Sequence, residues 1–262
     1  MKRFLIGLTI VLLAFFSRFN NLNWDANFHL HPDERFLTMV GNSIKLPTNI
    51  NQYFNQKISS MNPTNVGYSF FVYGRFSLIL TKYLATIFKM DNYNDLTILG
   101  RQLSAFFDLL IILFVIKSVG LLEKKLKLKP STKYWAGFFY AIAVLPIQLS
   151  HFFAVDTFLN FFMFGSFYLS LKFYYEKKIG YLVFSAIFFG LAMASKVTAV
   201  FILPLNLFFL IKTVFVRRQS LFKAILFVCT YFLLSYFTLR LADPYLFQNS
   251  NIFDPTISKI IT

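Results

Sequence analysis

Seven stretches of roughly 20 mostly apolar residues, each long enough to cross a hydrocarbon core as a helix, run through this 262-residue chain. They cover 4–22, 96–122, 134–155, 157–175, 179–195, 197–216 and 219–239. No soluble core of this size could bury them all, so the pattern predicts an all-α polytopic membrane protein of about seven transmembrane helices. Composition agrees. Hydrophobic residues make up 57% of the chain and charged residues 14%, against about 25% in soluble domains. The first stretch follows Lys2-Arg3 and lacks a small-x-small cleavage site after its apolar run, so it reads as an uncleaved anchor and not as a signal peptide.

Loop charge orients the helices. A further apolar stretch, 66–88, carries Arg75 and Lys82. If it crossed, the run Glu123-Lys124-Lys125-Leu126-Lys127-Leu128-Lys129 would face outward, against the preference of Lys and Arg for the cytoplasmic side. If it lies flat as an interfacial amphipathic helix, every cationic loop falls inside. Fifteen of the 26 cations then stand on the inner side with two of the 11 acids, a balance of +13. The other eleven cations and nine acids leave +2 for the outer half and the spans. The formal charge of +15 is thereby explained by topology, and no nucleic-acid partner is needed. The N-terminus is expected in the cytoplasm, with a large outer loop over about 23–95 and a second outer segment starting near Ala242. The single cysteine, Cys229, sits in an apolar run and excludes a disulfide framework.

The acids concentrate where chemistry is expected. Asp33 and Glu34 are adjacent in His29-Leu30-His31-Pro32-Asp33-Glu34-Arg35-Phe36, where Pro32 marks a helix start and the acids suit its first turn. His29 and His31 are two apart, not the three or four that share a helix face, so a divalent metal is not favoured. Asp156 falls in the short turn between the third and fourth spans, as a helix cap or as a third acid. Ionisable groups inside spans cost about 2.5–3.5 kcal/mol each on insertion scales and call for a reason. Arg101 and Asp108, seven apart on one helix face, suggest a bridge through a shared partner. Lys196 and Arg240 lie at outer helix ends, where snorkelling is the alternative to function. Carboxylates and cations gathered on one membrane surface suit transfer from a phosphorylated lipid. A carboxylate takes the acceptor's proton, and Lys or Arg stabilises the departing phosphate.

At these residues the chain resembles the polyprenyl-phosphate-dependent glycosyltransferases of the C-type superfamily, in the protein O-mannosyltransferase and aminoarabinose-transferase-like branch. The resemblance is carried by Arg18-Phe19, His31 to Phe36, Gly100-Arg101-Gln102-Leu103-Ser104, Ser150-His151 with Asp156, Gly190 to Lys196, and Arg240 with Pro244-Tyr245, in that order. It implies an inverting transfer from a polyprenyl-phosphate-linked sugar to a protein, lipid or glycan acceptor, at the outer face of the plasma membrane. Asp33 would be the general base, with Glu34 positioning it or the acceptor, and Asp156 matches the family's acid in the second outer loop. Lys196, Arg240 and Arg101 would face the donor phosphate. Family members usually continue with more membrane helices, so residues 1–262 are expected to form the N-terminal seven-helix module of such an enzyme, as one membrane-embedded unit. A transporter or lipid flippase, or a catalytically incomplete scaffold, are the readings from other classes. A transporter would need ionisable groups at mid-depth, where only Asp108 qualifies.

Overall fold

A computed structural model describes residues 2–216 and 220–246, and all regular structure among them is helical. Arg217 and Arg218 of the expected inner set, Gln219 at the start of the seventh stretch, and the chain after residue 246 lie outside the described residues. Three segments are long and apolar enough to cross a membrane on length and composition alone: α5 (Tyr93–Leu126), Val197–Val216 and α11 (Leu221–Ala242). The other expected spans are helical but shorter or more charged. α1 (Lys2–Phe19) has 18 residues with cations at both ends, α8 (Val155–Glu176) carries Asp156, Lys172 and Glu176, and α9 (Ile179–Ser195) has 17 residues. Thus, among the described residues, three segments meet the length and apolarity required of a crossing by themselves, and the other expected spans do so only with their neighbours.

Two prolines account for the departures from continuous helices. The third stretch divides into α6 (Thr132–Ala141) and α7 (Val144–Ser150). Pro146 has no N–H for the carbonyl of Ile142, four residues back, and its ring crowds that carbonyl, so the helix breaks at 142–143. The sixth stretch opens as a 3-10 turn, Val197–Ile202, before α10 (Leu203–Val216). Pro204 is the second residue of α10, where an N–H would have no intrahelical partner anyway. In 66–88 the α-helix is α4 (Phe76–Phe88), 13 residues or about 20 Å, too short for a core of roughly 30 Å.

The bundle is built around α8, which packs on α5 and α9, while α9 packs on α11. Close approach depends on glycine. A Cβ at Gly190 would fall 2.5 Å from the Ser235 carbonyl oxygen of α11, so only a bare backbone fits there. Buried Ser166, Ser185, Asn206 and Tyr231 hydrogen-bond across α8 to α11. Large apolar side chains face outward instead, among them Phe201, Phe222 and Leu233. The 23–95 region is folded, with α2 (Pro32–Ser43), α3 (Ile50–Phe54), the 3-10 turn Pro63–Val66 and α4. Its own core joins Leu37, Val40, Ile44 and Leu78 to Leu96 and Leu99 of α5 and to Phe153 just before α8.

Candidate active site

The Asp33-Glu34 pair is split by helix geometry. Pro32 begins α2, and the Nδ1 of His31 accepts the Glu34 N–H at 3.3 Å as a side-chain cap. Successive helical residues point about 100° apart, so one acid turns inward and its neighbour outward. Asp33 is exposed and Glu34 fully buried. Glu34 accepts from Arg101 Nε and Nη2, both at 2.7 Å, and from the Phe153 backbone N–H at 2.9 Å. Arg101 Nη1 and Nη2 also grip Asp25 at 3.0 and 2.8 Å, and Nη1 donates to the Leu22 carbonyl at 2.8 Å. All five guanidinium N–H groups are therefore committed, on a side chain 1% exposed. The expected role of Arg101 at the donor phosphate has no free donor to support it. Burial alone would raise the Asp25 carboxyl. The Arg101 guanidinium and nearby backbone N–H groups outweigh it and hold Asp25 below the usual carboxylate range.

Asp33 and Asp156, 123 positions apart, share a neighbour in Tyr73. Burial, then the charge of Asp33 and a hydrogen-bonding interaction with it, then the charge of Asp156 push the Tyr73 phenol up to about 12. Lys196, at the end of α9, donates to Asp156 Oδ1 at 2.8 Å, and both side chains stay about one-third exposed. Tyr73 reaches this place because Gly74 follows it. A Cβ on Gly74 would lie 2.1 Å from the Ala194 carbonyl oxygen, so the chain passes directly over the end of α9. Arg75 comes next, 8% exposed, and its Nε has no partner. Its backbone N–H donates to Asp243 Oδ2 at 2.9 Å and its Nη1 lies 3.7 Å from the same oxygen. Arg240, in the last turn of α11, donates from Nη1 to the Leu246 carbonyl at 2.6 Å.

Arg101 and Asp108 do not share a partner, which corrects the bridge expected from their spacing. Asp108 belongs to a separate buried network, in which it accepts from Arg18 Nε and from the Tyr140 hydroxyl at 2.6 Å. Arg18 also donates to the carbonyls of Tyr140 and Ala141 at the break after α6. His29 ties the loop to α5 through Asn94 and Thr97. Among the described residues no group of three or more His, Cys, Asp or Glu is placed to hold a metal ion. Sequence reasoning missed Asp25 and Tyr73 and gave Arg75 no role. Arg101 inside an apolar run signalled that buried acids must meet it, but nothing local pointed to Asp25. For Tyr73 the available signal was a glycine followed by a cation in an otherwise apolar loop.

The fold is that of a polytopic helical membrane protein, and it carries a carboxylate–cation cluster at Asp33, Asp156 and Lys196. Residues 96–241 match the family described as dolichyl-phosphate-mannose-protein mannosyltransferase. That is more than half of the chain, and the protein belongs to this family. It is thus an integral membrane glycosyltransferase of the mannosyltransferase type, using a polyprenyl-phosphate-linked sugar. Neither curated proteins nor solved structures give a match. The matched range takes in Arg101, Asp156, Lys196 and Arg240 and begins after the Asp33–Glu34 loop.

Proposed function

We propose that the chain transfers a sugar, with inversion, from its polyprenyl-phosphate donor to an acceptor hydroxyl or amine, with Asp33 as general base. The observation that carries this reading is Tyr73, which interacts with both Asp33 and Asp156 while Lys196 holds Asp156. Asp33 takes the acceptor's proton as the acceptor atom attacks the anomeric carbon. The bond from that carbon to the phosphate oxygen breaks, and polyprenyl phosphate leaves with one more negative charge. Lys196, one-third exposed, and Arg75, with an unpartnered Nε, are the cations that meet this charge. Arg240 is a further candidate for this role, and Glu34 with Arg101 acts as the positioning pair. An apolar cavity of about 670 Å³, lined in part by Phe76 beside Arg75 and by Leu241 beside Arg240, suits the polyprenyl chain.

In this reading residues 1–262 work as one membrane-embedded module, with the 23–95 loop covering the site on the outer face of the plasma membrane. The acceptor is protein, lipid or glycan, and a divalent metal is not favoured. The transporter alternative loses its main support, since Asp108 is held by Arg18.

The test is reconstitution of the full chain in vesicles with polyprenyl-phosphate mannose, following release of the lipid phosphate. Asp33→Asn should abolish transfer and Lys196→Ala should lower it at least tenfold. Unchanged transfer in both would refute these roles.

A further inference from the structure

A charged cavity lies at the opposite end of the bundle from Arg101 and Asp156. Along α5, Lys117 and Lys124 follow Arg101 by 16 and 23 residues, about 24 and 35 Å at 1.5 Å per residue. Along α8, Lys172 follows Asp156 by 16 residues, again about 24 Å. Between α5, α6 and α8 a cavity of about 310 Å³ is lined by Lys117, Lys124, Lys133 and Lys172, with Glu176 as its one acid. Two of these lysines are engaged. Lys172 lies 3.1 Å from Glu176 and donates to the Tyr181 hydroxyl at 2.9 Å, and Lys133 lies 3.7 Å from Glu123. Lys117 and Lys124 are exposed and form no ion pair among the described residues.

A second, largely apolar groove adjoins this cavity. Ile116 and Tyr134 line both it and a groove of about 380 Å³ between α1, α5 and α6, which is lined further by Gly7, Leu8 and Val11 and, at one residue, by the cationic Arg3. Lysines that merely snorkel at a cytoplasmic helix end would sit on separate helix surfaces. Here cations from three helices line one space, and a largely apolar groove shares two of its wall residues. A polar head beside an apolar tail has the shape of a phospholipid, and basic pockets between membrane helices suit anionic headgroups.

We propose that this cavity binds an anionic phospholipid, its phosphate held by Lys117 and Lys124 and an acyl chain in the adjoining groove. A free phosphate shares the headgroup chemistry but makes no use of the groove. The site is separate from the transfer site, and its occupancy does not depend on catalysis.

The experiment titrates the purified full chain in neutral detergent with phosphatidylglycerol, phosphatidylcholine or inorganic phosphate and reads bound ligand by native mass spectrometry. Phosphatidylglycerol should be preferred over phosphatidylcholine at least tenfold, with no retention of inorganic phosphate. Removing one lysine should weaken phosphatidylglycerol binding about fivefold, and Lys117→Gln with Lys124→Gln together about 25-fold. A control of equal charge change, Lys212→Gln with Lys223→Gln, should leave it unchanged. Melting temperatures of both double variants confirm that they are folded, and each single lysine variant gives an independent reading. The proposal is overturned if the Lys117/Lys124 variant keeps the parental preference, or if the control loses as much. It is also overturned if inorganic phosphate binds with the same lysine dependence while the lipid does not.

Discussion

Replacing Arg101 by lysine keeps the charge and removes the fork, which makes it a sharp test of whether this residue holds the fold or the donor. The arginine makes five hydrogen bonds, four of them to the carboxylates of Glu34 and Asp25. A lysine ammonium has three donors on one nitrogen and cannot span two carboxylates in this way. At least two charge-assisted bonds are lost, at about 1.5–3 kcal/mol each, for a cost of about 3–6 kcal/mol. That is a large share of the roughly 5–15 kcal/mol that stabilises a typical domain. At about 2–4 °C per kcal/mol for a chain of this size, Arg101→Lys should melt at least about 6 °C below the parent. The assay is a melting curve of the full chain in detergent, read by tryptophan emission. Trp24 lies over the Arg101 guanidinium, 5.3 Å from charge to ring centre, and reports the local environment. A melting temperature within about 2 °C of the parent would refute the structural role. If transfer collapsed at the same time, Arg101 would return to the donor phosphate.

The Asp156–Lys196 pair should behave in the opposite way. It is about one-third exposed, so Lys196→Met should cost under about 1 kcal/mol of stability, yet transfer should fall at least tenfold. Arg18→Met strands the buried Asp108 carboxylate and should destabilise by about 3–5 kcal/mol, measured by denaturant melts, with much of this recovered by adding Asp108→Leu. Gly74→Ala pushes a Cβ into the Ala194 backbone, and overpacking of this kind costs about 1–3 kcal/mol. It should lower both the melting temperature and transfer by displacing Tyr73. Because the folded Asp25 carboxyl is held below its usual range, its contribution to stability is present at neutral pH and is lost as pH falls through that lowered value. The melting-temperature gap between the parent and Asp25→Asn should therefore close below about pH 4.

Much of this protein could be read from apolar runs, because a helix in lipid must satisfy its own backbone and so leaves a long, unbroken signature. The break between α6 and α7 was less visible. Pro146 marks it, but Arg18, more than a hundred residues away, also donates to the carbonyls at the break, and that contact has no local signature. The start of α2 at Pro32 with its two acids was legible from local rules, as was the placing of Asp156 and Lys196 at helix ends. Which acid faced inward was not, since that depends on where α5 lies beside α2. Spacing along α5 suggested a joint role for Arg101 and Asp108, and packing assigned them to different neighbours. Tyr73 and Asp25 carried no motif. Their importance arises from contacts between segments far apart in the chain, which no local pattern records.

The carboxylate of Glu34 has a consequence for the order of assembly. Its partners are Arg101 and the amide of Phe153, 67 and 119 residues further along. A chain made from its N-terminus cannot close the first loop when that loop is made. It must wait, with an acidic dipeptide unpaired, until α5 and then the turn before α8 have been inserted. The Asp33 side of the site thus assembles only after more than half of the chain exists. A stall or misinsertion between α5 and α8 would leave every individual helix sound and the Asp33–Glu34 loop without its anchor.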